Sequence, residues 1–252
     1  LLNETVPFIN SSGEIYITVT NSTFNGGGGN SLWSNAANWS AGIPTVDNAQ
    51  IIVNKDLVVD SDKTVSQIKN NTNDSDASVT ITATGGSKLT VTGANNASDV
   101  AVTQPFQNRV VNGSLIFNLP VIFDSDASVK TLFFAKGAGA NITFSSSLTL
   151  NDPLSVSGVN KTHKLNFNGS LLGSGNLDLS AKAQAFFGDS YDGSAHTGDI
   201  IAGGGTTGGK QVTIVSNVSD SGTFLASGKI IKIENTGVTI TVNGVNTLKG
   251  NI

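Results

Sequence analysis

The chain contains no cysteine, which removes disulfides, thiolate metal sites and cysteine nucleophiles together. Charge is also scarce. Asp, Glu, Lys and Arg make up 13% of the residues, the net charge is -4, Arg109 is the single arginine and lysines form no run. Nucleic-acid binding needs a concentrated basic patch, and this chain has none. No stretch approaches the roughly 20 consecutive apolar residues of a membrane-spanning helix. Helical patterning is nearly missing, and only Asp178 to Phe187 reads as a short helix. Tryptophan occurs twice, at Trp33 and Trp39, both inside the phrase Leu32 to Pro44.

What fills the chain instead is Asn, Ser, Thr and 29 glycines, with an apolar share of 38%. Low charge and frequent β-branched residues argue against disorder, so the polar residues read as turn formers and solvated strand faces. Short alternating runs recur at spacings near ten residues, such as Leu57-Val58-Val59, Lys88 to Thr92, Leu115-Ile116-Phe117, Asn141 to Phe144 and Ser147 to Leu150. Gly, Asn, Asp and Ser separate them, the cadence of a sandwich, barrel or solenoid. Asp-Ser-Asp-Ala-Ser-Val appears at Asp74 to Val79 and again at Asp124 to Val129, each copy leading into a strand.

Leu165 to Leu179 favours a solenoid: it alternates apolar residues with Asn and carries the corner Gly173-Ser174-Gly175. Stacked coils need short strands with inward apolar side chains and corners that tolerate positive φ. The fold expected is all-β, a right-handed parallel β-helix with an N-terminal strand extension; a β-sandwich is the alternative. At roughly 20 residues per coil, residues 45 to 252 would make on the order of ten coils. The organisation expected is an extension over 1–24, a Gly-rich hinge over 25–31 and the β-helix over 32–252, with a tryptophan cap at 32–44.

Two segments carry a family resemblance. Trp33 to Ile43, then Pro44-Thr45-Val46-Asp47-Asn48-Ala49 and an Ile-Ile-Val strand, resembles a motif that opens the β-helix of large bacterial surface proteins. Leu165 to Leu179, then Phe187-Gly188, Tyr191-Asp192-Gly193 and Gly203-Gly204-Gly205, is similar to the autotransporter-associated β-strand repeat of secreted passenger domains. The resemblance implies a bacterial-type extracellular β-helix with a structural or adhesive role.

The sites follow from these readings. Trp33 and Trp39 are expected to plug the otherwise open first coil, as a solenoid requires. Ile15, Tyr16, Ile17 and Val19 form a strand that could add to a neighbouring subunit. With open strand edges elsewhere, this predicts head-to-tail homopolymerisation into a filament or sheath. Asn-x-Ser/Thr sequons mark Asn3, Asn10, Asn21, Asn38, Asn70, Asn73, Asn96, Asn112, Asn141, Asn160, Asn168 and Asn217 as glycan acceptors on a secreted or cell-surface protein. Surface glycans are a second class of partner.

No catalytic residue is assigned. Ser194-Ala195-His196 beside Asp192 and Asp199 is the most crowded locus, and it reads as a turn rather than a triad. No cofactor is expected, although Asp60-Ser61-Asp62, Asp74-Ser75-Asp76 and Asp124-Ser125-Asp126 could each hold Ca²⁺ weakly. The start at Leu1-Leu2 without Met suggests a removed leader or an internal start. The alternative function is a carbohydrate-binding or polysaccharide-degrading β-helix module of a surface enzyme.

Overall fold

A computed structural model describes residues 5–9, 15–19, 21–45, 47, 49–71, 77–94, 104–125, 130–134, 139–157, 162–180, 184–203, 212–218, 223–233 and 238–242. Two strands come first. β1 (Thr5–Ile9) and β2 (Ile15–Val19) pair antiparallel, Phe8 opposite Tyr16, as a two-stranded sheet of their own. β3 (Asn21–Phe24) then begins the stack. The first coil is β4 (Gln50–Val53), β5 (Leu57–Val59) and β6 (Lys63–Val65); the second is β7 (Gln67–Asn70), β8 (Val79–Ala83) and β9 (Leu89–Val91). The third is β10 (Phe106–Asn108), β11 (Ser114–Asn118) and β12 (Val121–Phe123). The fourth is β13 (Lys130–Phe134), β14 (Asn141–Phe144) and β15 (Leu148–Leu150), and the fifth is β16 (Leu154–Ser157), β17 (Lys164–Phe167) and β18 (Leu171–Gly173). The later coils have two named strands each: β19 (Leu177–Ser180) with β20 (Gln184–Phe187), β21 (Ile200–Ala202) with β22 (Val212–Ser216), and β23 (Ile231–Ile233) with β24 (Val238–Val242).

Each coil thus contributes one strand to each of up to three sheets. The first sheet runs from β3 to β23 and has nine strands, the second runs from β5 to β24 and has eight, and the third runs from β6 to β18 and has five. Neighbouring strands within all three are parallel, as in Ile142 beside Leu165 and Leu148 beside Leu171. The chain is an all-β parallel β-helix. A sandwich would have joined its strands antiparallel.

Alternation decides which side chains face in. In β5, Leu57 and Val59 are fully buried while Val58 is only partly so. Along the second sheet this register produces a column, Phe117, Phe144, Phe167 and Phe187, one ring per coil. Successive rings lie 5.1, 6.0 and 5.1 Å apart and tilt by only 10°, 17° and 13°. Burying each side chain is worth roughly 1.5–3 kcal/mol, and an aromatic pair adds about 0.5–1.5 kcal/mol. Stacking is forced by the geometry: parallel in-register strands place equivalent residues directly over one another.

The corners explain the glycines and the acids. A Cβ at Gly175 would run into the carbonyl oxygen of Asp152 on the coil below. Gly173, at φ +89, is excluded from other residues by both backbone conformation and space. At other corners a side chain supplies the acceptor for an amide of the next coil. Asp56 accepts from Thr80 N–H at 2.8 Å, Asp62 from Lys88 N–H at 3.0 Å and Asn176 from Asp199 N–H at 2.9 Å. Each meets the demand of a backbone donor that would otherwise be lost as the ladder turns.

Three sequence expectations change here. Within Asp178 to Phe187, the described residues 178–180 and 184–187 are strand, not helix, because Leu177, Leu179, Ala185 and Phe187 alternate inward over Leu154, Val156, Leu165 and Phe167. Coil length is also uneven: the residues stacked in turn on Leu115 are Ile142, Leu165, Ala185, Ile214 and Ile240. Corner loops of different length absorb the difference, so among the described residues after position 45 the longest sheet has eight strands, β4 to β23, against the ten coils expected. Finally, residues 21–24 belong to the stack. β3 pairs parallel with β4, Asn21 beside Gln50 and Phe24 beside Val53, so the extension is limited to the chain before it.

Candidate functional site

The segment between β3 and β4 covers the N-terminal end of the stack. Trp33 and Trp39 are 1% and 5% exposed, with ring centroids 4.8 Å apart and planes at 63°. Trp39 also meets Phe24 edge-on at 5.1 Å. Its Nε1–H donates to the Trp33 carbonyl at 2.8 Å, which pays the cost of burying an indole donor. Trp33 Nε1 has no such partner.

The backbone of this segment occupies the edges of two sheets. Beside β5, Trp33 N–H donates to Val58 O and Val58 N–H to Ser31 O, both at 2.8 Å. Beside β3, Ser40 N–H donates to Thr23 O at 2.9 Å and Asn25 N–H to Asn38 O at 2.8 Å. Phe24 and Trp39 form an antiparallel bridge there, while Leu32 and Val58 form a parallel one. An open edge is an invitation to pair with another chain. These stretches of the first and second sheets are already paired.

Asn38 holds the segment together. Its fully buried amide accepts from Gly28 N–H at 2.8 Å and donates to Leu32 O at 2.9 Å and to Asn30 Oδ1 at 3.1 Å. A Cβ at Gly28 would collide with Asn35 and Asn38. The glycine-rich stretch expected to be a hinge is therefore a packed loop, in which glycine is needed for close approach.

The remaining candidate positions scatter. Ile15, Tyr16, Ile17 and Val19 lie in β2 opposite β1, and only their backbone pairing is described. Asn3, Asn10, Asn73, Asn96 and Asn160 lie outside the described residues. Asn112 and Asn168 are exposed, and Asn21, Asn141 and Asn217 partly so. Asn38 and Asn70 are fully buried and hydrogen-bonded inside the fold. A glycan has no room at either, which corrects their assignment as acceptors in the folded protein. Asn70 instead stacks on buried Asn108, whose Nδ2 donates to Gly113 O at 2.8 Å and Asn141 O at 2.7 Å. Their amides supply the polar partners of an interior corner.

At the crowded histidine locus, Ser194 N–H donates to Asp192 Oδ1 at 2.9 Å, closing a turn. His196 is buried and its Nδ1 lies 3.4 Å from Leu172 O, while its Nε2 has no partner. Burial holds its pKa below the usual histidine value, with Lys229 acting in the same direction and the Leu172 and Gly173 carbonyls and Asp199 opposing. Tyr191 nearby is also buried with an unpartnered hydroxyl; burial and then Asp192 push its pKa far up. Tyr191 meets Phe187 and Phe224 as the aromatic column ends. His163 is buried as well, in a separate coil.

Of the Asp-Ser-Asp phrases, only the first lies wholly within the described residues. Asp60 accepts from the Ser34 hydroxyl and amide, and Asp62 pairs with Lys88 at 3.8 Å. Among the described residues, no three His, Cys, Asp or Glu side chains come together as metal ligands, and no helix is long and apolar enough to cross a membrane.

The fold and its capped end define the class, a parallel β-helix closed at its N-terminal end by aromatic packing. In comparisons with known proteins, no family model matches the chain, and no curated protein or solved structure matches it.

Proposed function

We propose that this chain is an extracellular, cell-surface structural or adhesive protein whose subunits join head to tail through β-strand contacts. The observation that carries this reading is the hairpin β1–β2, which pairs with no third strand among the described residues. A lone two-stranded hairpin is marginal in water and gains most from a sheet edge to join. The opposite end of the stack supports the same reading. Among the described residues, the inward row Leu132, Val156, Leu179 and Ala202 ends at Ile233, which is 44% exposed. Such a contact joins unlike surfaces and extends into a filament when it does not close. Glycans on exposed sequons such as Asn112 and Asn168 would coat such an assembly rather than block it.

The test is deletion of residues 1–19, which spares β3 and its contact with Trp39. The full chain is expected to give filaments by electron microscopy and the deletion only short particles. Filaments from the deletion would sink the hairpin as donor, and a full chain that stays monomeric when concentrated would sink the assembly.

A further inference from the structure

The outer face of the first sheet carries a groove of about 230 Å³ beside the tryptophan cap. Its lining comes from three adjacent strands in register, with Ser40 of the cap segment beside them. Asn21, Gln50 and Gln67 make one row, and Thr23, Ile52 and Lys69 make the other. Members of one row sit on neighbouring strands roughly 4.8 Å apart, a spacing at which Asn21 and Gln50 can address two substituents of one small ring. Both amides make no hydrogen bond among the described residues. Gln67 is committed, its Nε2 donating to Gln104 O at 2.8 Å, which steadies the groove wall. Ile52 provides an apolar floor. The groove is smaller than the roughly 300–1,000 Å³ typical of drug-sized ligands.

Charge narrows the ligand further. None of the lining residues is acidic, in a chain with 18 Asp and Glu against 14 Lys and Arg. Lys69 has no ion pair among the described residues, and its pKa is held below the usual lysine value by burial and then by the positive charge of Arg109. A carboxylate beside Lys69 would relieve both the lost hydration and the repulsion. A peptide strand could not enter by β-augmentation, since Thr23 and Asn25 at this edge of β3 already bond Ser40 and Asn38. We infer that the groove between β3, β4 and β7 binds an acidic sugar, with Lys69 meeting the carboxylate, Asn21 and Gln50 the hydroxyls, and Ile52 the apolar ring face. This site needs only the monomer and stands apart from the assembly proposed above.

Glucuronate, glucose and acetate, titrated separately into the full chain and followed by backbone amide shifts, test it. Glucuronate is expected to shift β3, β4 and β7 with affinity in roughly the millimolar range, and glucose and acetate to bind about tenfold more weakly or worse. Lys69→Gln and Gln50→Leu should each weaken glucuronate, the former by about tenfold, with unchanged melting; Thr149→Val on the third sheet should not. Acetate binding as well as glucuronate would reduce the site to a bare anion site and overturn the proposal. So would glucose binding equally well, no shift on these strands with any of the three, or full affinity in both groove variants.

Discussion

The two ends of the stack bring their inward rows to a stop in different ways. At the N-terminal end the row ending on Phe24 is closed by Trp39 and Trp33, and the flanking strand edges are paired to the same segment. Toward the C-terminal end, among the described residues, another inward row of the same sheet ends on Ile233, still 44% exposed. Between them the repeated coils need no special device, because each phenylalanine covers the one below. A repetitive core is self-sufficient only in its middle. An end needs residues that are not part of the repeat, and here those are two indoles and one asparagine.

The largest test of this contrast is Trp39→Ala, expected to cost about 3–5 kcal/mol and to speed hydrogen exchange first in β3, β4 and β5. Uniform loss of protection along the whole stack would mean that the cap is not a local closure. Asn38→Ala should follow at roughly 2–3 kcal/mol, since it leaves buried backbone groups without partners; denaturant unfolding checks it. A smaller effect separates the halves by pH. His196 has a folded pKa below the ordinary 6.5, so the unfolded chain binds the proton more readily. Stability is then retained above that value and falls as the pH drops below it. The loss should appear around β18 to β21 and be removed by His196→Gln, while the N-terminal cap, whose segment contains no histidine, should show no such histidine-linked step. Smallest is Ile233→Ser, expected to change stability by no more than about 0.5 kcal/mol while weakening any self-association measured by sedimentation. A cost as large as that of Trp39→Ala would show that both ends are closed alike.

Much of the strand pattern was legible before the structure. Leu57-Val58-Val59 and Asn141 to Phe144 announce their inward faces by alternation alone. The tryptophan phrase stands out because it interrupts that alternation with two large rings close together. The helix expected over Asp178 to Phe187 illustrates the limit: Leu177, Leu179, Ala185 and Phe187 are strand residues because the coil below offers matching partners. Asn38 and Asn70 are a second limit. As sequons they resemble Asn112 and Asn168, yet two are buried hubs and two are exposed. Nothing in a tripeptide reports which way its asparagine faces. The groove at Lys69 was equally hidden, because its rows come from residues far apart in the chain.

The amino-acid sequence by itself determined the all-β class, since period-two alternation with glycine and asparagine corners buries its apolar faces as short strands. It also determined that the two tryptophans act together, because six residues of chain keep them close. Only the tertiary structure decided that those strands pair parallel as a stack, that β3 joins it, that the glycine loop is packed, and which asparagines are interior. Those outcomes depend on what the neighbouring coil presents at each position, and parallel coils bring together residues that sequence spacing keeps apart.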